Sequence, residues 1–235
     1  MIRPYAFGYA TPFVGRTQEL ADITARLLNP ECRLLTVTGL GGSGKTRLAI
    51  EAANTTAAQF AHGAVFVPLQ PLTRSNLLVP TIAQALGVTF YGEGEPHQQL
   101  LDYLHDKTLL VILDNFEHLL DGAALVSDML AYAPGITVLT TSRQALSLRE
   151  EWLYPLKGLA TPPSVYATSL EGYEAVQLFL SHARRVQPHF DLADEHESVI
   201  RICQVSRHLL RGEINEDAIY RATRFKARET RNILD

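Results

Sequence analysis

A glycine-rich octapeptide is the feature that most constrains how this chain of 235 residues can fold. Residues 39–46 read GLGGSGKT and satisfy the pattern G-x-x-x-x-G-K-[ST] at every fixed position. The apolar segment 34–38 precedes the octapeptide, and an alanine-rich segment with helical character follows from Lys45. Strand, glycine-rich turn and helix in this order predict a phosphate-binding loop at the carboxyl end of a buried strand.

Each residue type in the octapeptide suits the binding of a nucleotide phosphate. Glycine permits positive φ and a close backbone approach, so successive N–H groups can surround phosphate oxygens at the start of the helix. Lys45 is predicted to reach the β- and γ-phosphates as a point charge, and the Thr46 hydroxyl to bind Mg²⁺. The predicted nucleotide-binding residues of this segment are Gly39, Leu40, Gly41, Gly42, Ser43, Gly44, Lys45, Thr46 and Arg47.

The same glycines also fit a second kind of nucleotide site. Gly39, Gly41 and Gly44 spell G-x-G-x-x-G, the fingerprint of dinucleotide binding, which needs an acidic residue about 20 positions further on. The second predicted strand ends in LQPL at 69–72, without a carboxylate, so a phosphate loop is favoured. No NKxD motif that would read a guanine base occurs in the chain, which favours ATP or ADP over GTP.

Apolar segments alternate with helical segments along the first 160 residues. Strands are predicted at 34–38, 64–69, 108–114, 136–141 and 152–156, and helices at 17–28, 45–60, 75–86, 96–104 and 117–132. This alternation predicts an α/β fold, a P-loop NTPase with a five-stranded, mainly parallel sheet between helices. Further helices are predicted at 171–186, 195–210 and 216–233. We therefore predict an extended lead-in over 1–12, a nucleotide-binding domain over 13–160 and a helical segment over 161–235.

A carboxylate ends the third predicted strand. In a P-loop fold an aspartate at this point orients Mg²⁺, which is the predicted role of Asp114, although such a residue can also simply form a turn. Asn115 follows and cannot take a proton from water, so Glu117 is the nearest candidate for a general base and hydrolysis is predicted to be slow. Alternatively, Glu117 is an exposed glutamate in the first turn of the predicted helix 117–132. The additional strand at 64–69, before the Asp114 strand, is typical of the additional-strand ATPases.

Polar residues, TTSR at 140–143, end the fourth predicted strand. Ligands of α/β sheets gather at the carboxyl ends of the strands, so Arg143 is a candidate to read a γ-phosphate. The alternative is an ion pair between Arg143 and a local carboxylate such as Glu150 or Glu151.

Composition disfavours several other classes of protein. The net charge of −4 gives no global signature of nucleic-acid binding, and the longest apolar run, 109–113, is too short to span a membrane. The two cysteines, Cys32 and Cys203, match no zinc or disulfide-framework spacing, which indicates a reducing, cytoplasmic setting. The eight histidines form no metal-binding set, and no G-x-S-x-G elbow of a hydrolase occurs.

Four motifs in order resemble the nucleotide-binding domain of the STAND class, the signal-transduction ATPases with numerous domains. Within that class the chain is most similar to the NB-ARC-like domain of bacterial ATP-dependent transcriptional regulators. The motifs are FVGR at 13–16, the phosphate loop, LDNFEH at 113–118, and TTSR at 140–143 followed by EWLY at 151–154. Together with the helices that follow, the resemblance covers about residues 12–204.

The resemblance implies further properties. Val14 and Arg16 would lie near the adenine, Arg143 would act as a sensor, and ADP and ATP would favour different arrangements of neighbouring domains. The partners implied are other protein domains or further copies of the chain on activation. Where the family has a GLPL-type motif this chain reads QVSRHLL at 204–210, so the helical segment is predicted to be an incomplete or atypical lid.

Three functions remain open at this point. The first is a Mg-ATP- and ADP-binding switch that slowly hydrolyses the β–γ bond, with Lys45, Asp114, Glu117 and Arg143 as its catalytic set. The second is a phosphotransferase that hands the γ-phosphoryl group to a small molecule while Arg143 and Arg149 close over it. The third is a nucleotide-binding interaction module without turnover.

Overall fold

Five segments form one sheet in the computed structural model, which describes residues 12–164, 167 and 169–210. The strands are β1 (Leu34–Thr38), β2 (Ala64–Pro68), β3 (Leu109–Asp114), β4 (Ile136–Ser142) and β5 (Glu151–Pro155). They are hydrogen-bonded in the order β2-β3-β4-β1-β5, and every neighbouring pair is parallel. The predicted five-stranded α/β fold is confirmed, and the sheet is parallel throughout rather than mainly parallel.

The described residues form seven α-helices, of which the first five belong to the same compact unit as the sheet. They are α1 (Thr17–Leu27), α2 (Lys45–Thr56), α3 (Leu78–Leu86), α4 (Pro96–His105), α5 (Ala124–Tyr132), α6 (Glu174–Val186) and α7 (His196–Leu210). All six residues of β3 are buried, which demands cover on both of its faces. The main core joins the sheet to α3, α4 and α5 through fully buried leucines such as Leu78, Leu100 and Leu104.

One predicted helix is wrong in its first half. The pattern indicates a helix over 117–132, whereas the chain forms 3₁₀ turns at Phe116–His118 and Leu120–Gly122 and becomes α-helical only from Ala124. Asn115 has a φ of 70°, in the left-handed region, and turns the chain out of β3 before a helix can begin. Glu117 therefore lies in a tight turn beside the end of β3, and not in the first turn of a long helix.

The strand order brings three predicted functional segments to one edge of the sheet. β4 lies between β1 and β3, so the Asp114 strand is separated from the strand that precedes the glycine-rich octapeptide. Because parallel strands end at the same edge, the octapeptide, Asp114 and Arg143 follow the carboxyl ends of three adjacent strands.

The described residues divide into two compact units. The sheet unit comprises Thr17–Gly39 and Gly44–Leu156, and the helical unit comprises Pro12–Arg16, Leu40–Ser43 and the described residues from Lys157 on. Within the helical unit α6 packs on α7. The domain boundaries at 12 and 160 stay predictions, and the lead-in up to residue 11 and the predicted helix 216–233 lie outside the described residues. None of the described helices is both long and apolar enough to cross a membrane.

Candidate functional site

The octapeptide forms a tight turn between β1 and α2. Gly42 has a φ of 73° and Gly44 a φ of 87°, values that disfavour a side chain, so glycine is required at both positions. Gly44 is also the N-cap of α2 and has no side chain to bond the first N–H groups of the helix. The first turn of α2 therefore offers its positive end and its N–H groups to an anion.

Lys45 is a buried cation at the start of α2. Its Nζ donates a hydrogen bond to the Gly39 carbonyl at 2.8 Å, across the base of the loop. Burial lowers the pKa of Lys45, while the carboxylates of Glu117 and Asp114 raise it and Arg143 lowers it. Glu117, Asp114 and Arg143 therefore all lie within electrostatic reach of Lys45 in the sheet unit. A buried ammonium in this position gains from an anionic ligand.

A hydroxyl from β4 fixes the carboxylate at the end of β3. Thr141 Oγ1 donates to Asp114 Oδ1 at 2.6 Å and accepts a hydrogen bond from the Asn115 N–H at 2.9 Å. Asp114 and Thr141 are both buried. The Thr141 hydroxyl thus fixes the orientation of the Asp114 carboxylate and stabilises the left-handed turn at Asn115.

Glu117 and Arg143 meet at the same edge of the sheet. Arg143 Nε lies 3.0 Å from Glu117 Oε1, so the arginine contacts neither of the alternative carboxylates, Glu150 and Glu151, considered from the sequence. The Glu151 carboxylate instead accepts the N–H groups of Leu146 and Ser147 at 2.8 and 2.9 Å. The expectation of an exposed Glu117 is also wrong, because only 15% of its side chain is exposed.

The second oxygen of Glu117 is unusual. Glu117 Oε2 is buried and has no hydrogen-bond partner among the described residues. Buried carboxylate oxygens are almost always paired, so an atom of this kind marks a place for a water molecule or a cation. It belongs to the carboxylate that interacts with Lys45 and that the sequence analysis proposed as a general base.

The donor set at this edge suits magnesium. The Thr46 hydroxyl and the Asp114 carboxylate are hard oxygen donors, and Mg²⁺ is usually held by one or two such groups together with substrate phosphates. The described residues contain no group of three His, Cys, Asp or Glu side chains that could hold a metal by themselves. The residues present therefore fit a magnesium ion that arrives with a phosphate ligand.

The remaining predicted nucleotide-binding residues fall into two groups. Leu40, Gly41, Gly42 and Ser43 belong to the helical unit together with Val14 and Arg16, while Thr46 and Arg47 follow Lys45 on α2 in the sheet unit. Arg16 is buried, and its Nη2 donates to the carbonyl oxygens of Ser43 and Lys157. The proposed proximity of Val14 and Arg16 to an adenine stays a prediction.

Sequence reasoning missed the partners of these residues. The sequence could have indicated a role for Thr141, because a hydroxyl at the end of a buried apolar strand needs a hydrogen-bond partner. Thr36 and Thr140 form a similar buried pair, with an Oγ1–Oγ1 distance of 2.7 Å between β1 and β4. No local pattern indicated that Glu117 would pair with Arg143, since 26 residues separate the two.

Comparisons with known proteins agree with this geometry. A family model described as an AAA domain matches residues 29–148. A Mycobacterium tuberculosis protein, provisionally named an HTH-type transcriptional regulator, is 37% identical over 181 residues, which cover 76% of this chain and 19% of that protein. The chain thus spans about a fifth of the length of this curated relative.

Two solved structures share the fold. A STAND protein with a tetratricopeptide repeat sensor from Pyrococcus horikoshii is 18% identical, has a TM-score of 0.51, and is matched over 86% of this chain and 30% of its own. The ORC2 protein of Aeropyrum pernix, solved as ADPNP-ADP complexes, is 16% identical, has a TM-score of 0.54, and is matched over 95% and 71%. The predicted resemblance to STAND-class P-loop ATPases is confirmed. Because the AAA domain model covers half of its length, the chain belongs to the AAA domain family.

Proposed function

We propose that this chain is a Mg-ATP- and ADP-binding switch module with slow ATP hydrolysis. The observation that carries the proposal is the buried Lys45, which starts α2 directly after the glycine turn and interacts with Asp114, Glu117 and Arg143. A buried cation at the positive, amino-terminal end of a helix is suited to bind a polyphosphate. The carboxylates that interact with it are suited to bind a metal ion and a water molecule.

Each residue has a distinct part in nucleotide binding. The N–H groups of the loop and the Lys45 ammonium hold the β- and γ-phosphate oxygens. Thr46 and Asp114 hold the magnesium ion, and Thr141 keeps the Asp114 carboxylate in its orientation. When bound, Mg²⁺ supplies charge neutralisation for the phosphates. No side chain in this set is required to form a covalent intermediate, so positioning and electrostatics carry the chemistry.

Hydrolysis is slow in this proposal because the base is poorly placed to act. Asn115 follows Asp114 and cannot accept a proton, which leaves Glu117 to deprotonate the attacking water. One oxygen of Glu117 contacts Arg143, and only Oε2 is left to face a water molecule. While the ion pair persists, Arg143 holds one of the two carboxylate oxygens and fixes the orientation of the other. Glu117 therefore has to separate from Arg143 before it can act, and this added step keeps hydrolysis slow.

ATP and ADP would differ at Arg143. The γ-phosphate is a stronger competitor for a guanidinium than a single carboxylate is, since it offers more charge and more acceptor oxygens. ATP would take Arg143 from Glu117, and ADP would leave the pair intact. The site would in this way convert the presence of one phosphoryl group into a change in the loop after β4.

The output of the switch would be a change in contacts with other domains or with further copies of the chain. The relative from Mycobacterium tuberculosis is about five times longer than the matched segment, which leaves room for sensing and effector parts in a protein of that kind. Any contact with nucleic acid would then belong to such parts, because the net charge of −4 gives this segment no general attraction to phosphate backbones.

The proposal is tested by comparing nucleotide binding of the wild-type protein with that of the variant Lys45→Ala. The wild-type protein should bind ADP and ATP with micromolar affinity in the presence of Mg²⁺, measured by isothermal titration calorimetry. Loss of one buried charged contact should weaken both affinities by about 100-fold. Lys107→Ala, which removes a lysine just before the amino end of β3, at the opposite edge of the sheet, is the matched control and should bind like wild type. Unaltered binding by Lys45→Ala would contradict the proposal.

A second measurement asks which nucleotide the protein holds. Purified protein is denatured, and the released small molecules are separated by ion-exchange chromatography. An adenine nucleotide is expected, because the chain contains no NKxD motif that would read a guanine base. Bound guanine nucleotide would contradict the predicted preference for adenine.

A further inference from the structure

A cluster of hydrogen-bonded residues within the helical unit connects the phosphate loop to the first turn of α6. Its members are Gly15, Arg16, Ser43, Lys157 and Glu174, all of which belong to that unit. Ser43 is a residue of the glycine-rich octapeptide, and Glu174 is the first residue of α6. The cluster therefore links the predicted phosphate-binding backbone to a helix 131 positions later in the chain.

The Arg16 guanidinium fixes two backbone carbonyls at once. Nη2 donates to the Ser43 carbonyl at 2.8 Å and to the Lys157 carbonyl at 2.9 Å. Only 4% of Arg16 is exposed, so water competes little for these bonds. A charged donor that is buried and bonded in this way holds its acceptors more strongly than a neutral one.

The carbonyl of Ser43 controls the direction of the next N–H group. A trans peptide is planar, and its carbonyl and N–H point to opposite sides. When Arg16 holds the Ser43 carbonyl on one side, the N–H of the following residue, Gly44, must point to the other. N–H groups of this loop are the ones proposed to bind phosphate oxygens. Arg16 thus sets the orientation of a phosphate-binding group without touching the phosphate.

The backbone of the same arginine reaches α6. Gly15 and Arg16 have φ values of 71° and 58°, and this pair of left-handed residues directs the Arg16 N–H to Glu174 Oε1, 2.6 Å away. A left-handed conformation is strained for arginine, so the surrounding contacts must hold it. A Cβ on Gly15 would lie 3.0 Å from Glu174 Oε1, which shows how closely the glutamate packs on this turn.

We propose that Arg16 is a positioning residue that couples nucleotide occupancy of the phosphate loop to the stability of α6. The inference rests on the proposed function, because it needs a nucleotide in the loop. A bound phosphate orders the loop peptides, the ordered Ser43 carbonyl holds the Arg16 guanidinium, and the ordered Arg16 backbone holds Glu174 at the first turn of α6. The guanidinium of Arg16 thus contacts the phosphate loop, and its backbone N–H contacts α6.

Amide hydrogen exchange of α6, followed by mass spectrometry with and without ADP and Mg²⁺, tests the coupling in the full chain. The ADP dissociation constant is measured on the same samples. At ADP near 100 times that constant, complete coupling would slow exchange in the first turn of α6 by about 100-fold, and we expect about tenfold or more. Nucleotide binding without slower exchange in α6 would overturn the inference and leave the proposed function intact.

Two variants separate the two ends of Arg16. Arg16→Lys keeps the charge and the left-handed backbone but cannot bond both carbonyls from one planar group, so ADP affinity should fall about 10-fold to 100-fold and the slowing should vanish. Glu174→Ala leaves the guanidinium contacts in place, so ADP should bind within about twofold of wild type while the slowing is lost. Circular dichroism checks that each variant is folded.

Glu171→Ala is the matched control, because Glu171 is an exposed glutamate just before α6. It should keep both ADP affinity and the slower exchange. If Glu174→Ala also keeps the slower exchange, or if Arg16→Lys binds ADP like wild type, the inference is wrong. If wild-type protein binds no nucleotide, the proposed function fails and the inference fails with it.

Discussion

Arg143 is 68% exposed, whereas the Glu117 carboxylate that it contacts is only 15% exposed. An exposed arginine loses little when it leaves such a pair, because water replaces the carboxylate. A largely buried glutamate loses more, since its other oxygen already lacks a partner among the described residues. Because of this difference in exposure, a γ-phosphate can attract Arg143 away from the pair, and Glu117 is then left without its partner.

We expect opposite effects when the two partners are changed. Arg143→Gln should weaken ATP binding about tenfold and change ADP binding much less, because only ATP has the γ-phosphate. Glu117→Gln removes the competitor for Arg143, so ATP should bind about two- to fivefold more tightly. The same variant should hydrolyse ATP about 100-fold more slowly, since its amide cannot accept a proton.

Calorimetric titrations with ATP and ADP and a single-turnover hydrolysis assay check these effects. Glu150→Gln changes an exposed carboxylate that the sequence offered as an alternative partner, and it should leave all three measurements unchanged. Equal weakening of ATP and ADP by Arg143→Gln would show that the arginine does not distinguish them.

At the residue scale, local signals located the loop and the strand that carry the candidate residues, and contacts between residues far apart in the sequence were missed. The octapeptide contains its glycines, lysine and threonine in one run, and the strand that ends in Asp114 is adjacent to its own functional residue. The partner of Arg143 depends instead on the order of β3 and β4 in the sheet. Proximity in sequence favoured Glu150 and Glu151, but Glu151 is occupied by the N–H groups of Leu146 and Ser147.

At the scale of elements, one arginine fastens the end of α5 to the sheet. Arg33, which precedes β1, donates from Nη1 to the Leu130 carbonyl at 2.8 Å and from Nη2 to the Ala133 carbonyl at 2.6 Å. Nε and Nη2 also donate to the Ile136 carbonyl at 3.2 and 3.0 Å. The last carbonyls of a helix have no partner within the helix, so the guanidinium takes that place.

Arg33→Met should therefore destabilise the protein without changing nucleotide binding. The thioether chain keeps much of the packing of the arginine stem but leaves the carbonyls of α5 without donors. We expect a loss of about 1–3 kcal/mol in the free energy of unfolding, measured by urea denaturation. ADP affinity should stay within about twofold of wild type, because Arg33 lies at the amino end of β1 and the octapeptide follows its carboxyl end.

Arg149→Met is the matched control for this prediction. Arg149 is exposed, and a surface change of this kind should alter stability by no more than about 0.5 kcal/mol. A stability of Arg33→Met equal to that of the control would mean that solvent satisfies the carbonyls of α5.

Periodicity predicted the strands well and the start of α5 badly, for a physical reason. The strands β1 to β4 are buried along most of their length, so each is marked by a largely apolar run, whereas β5 lies at the edge of the sheet and is mostly exposed. The stretch 117–132 also has apolar residues at helical spacing, but a left-handed residue at Asn115 and a close approach at Gly122 break its first half into turns. A Cβ on Gly122 would lie 2.7 Å from the Ser75 Cβ, a contact that only the fold creates.

At the scale of the whole molecule, the reactivity of each cysteine can measure how often its own unit opens, because the two cysteines belong to different units. Cys32 belongs to the sheet unit and Cys203 to the helical unit, and both are buried. Burial raises the pKa of each thiol to about 11 from an ordinary 9.0. A buried thiol at pH 8 is then about 100-fold poorer in reactive thiolate than an exposed one, and it reacts mainly when its unit opens.

The helical unit should open first. Among the described residues its core is a small cluster of Leu170, Val176, Leu180, Val199, Ile200 and Cys203, whereas the core of the sheet unit runs from β1 to β4 and includes three helices. A smaller buried apolar surface gives a smaller opening free energy. Cys203 should therefore be alkylated faster than Cys32 at pH 8 in urea below the main unfolding transition.

Pulsed alkylation with iodoacetamide, read by peptide mass spectrometry, measures both thiols in one sample. Fully unfolded protein is the control and should label both at similar rates, since exposure returns each pKa toward 9.0. In the native protein both rates should rise with pH up to about 11, because the thiolate is the reacting form. Equal rates below the transition would mean that the units open together, and the coupling proposed for Arg16 would then be one contact within a single cooperative fold.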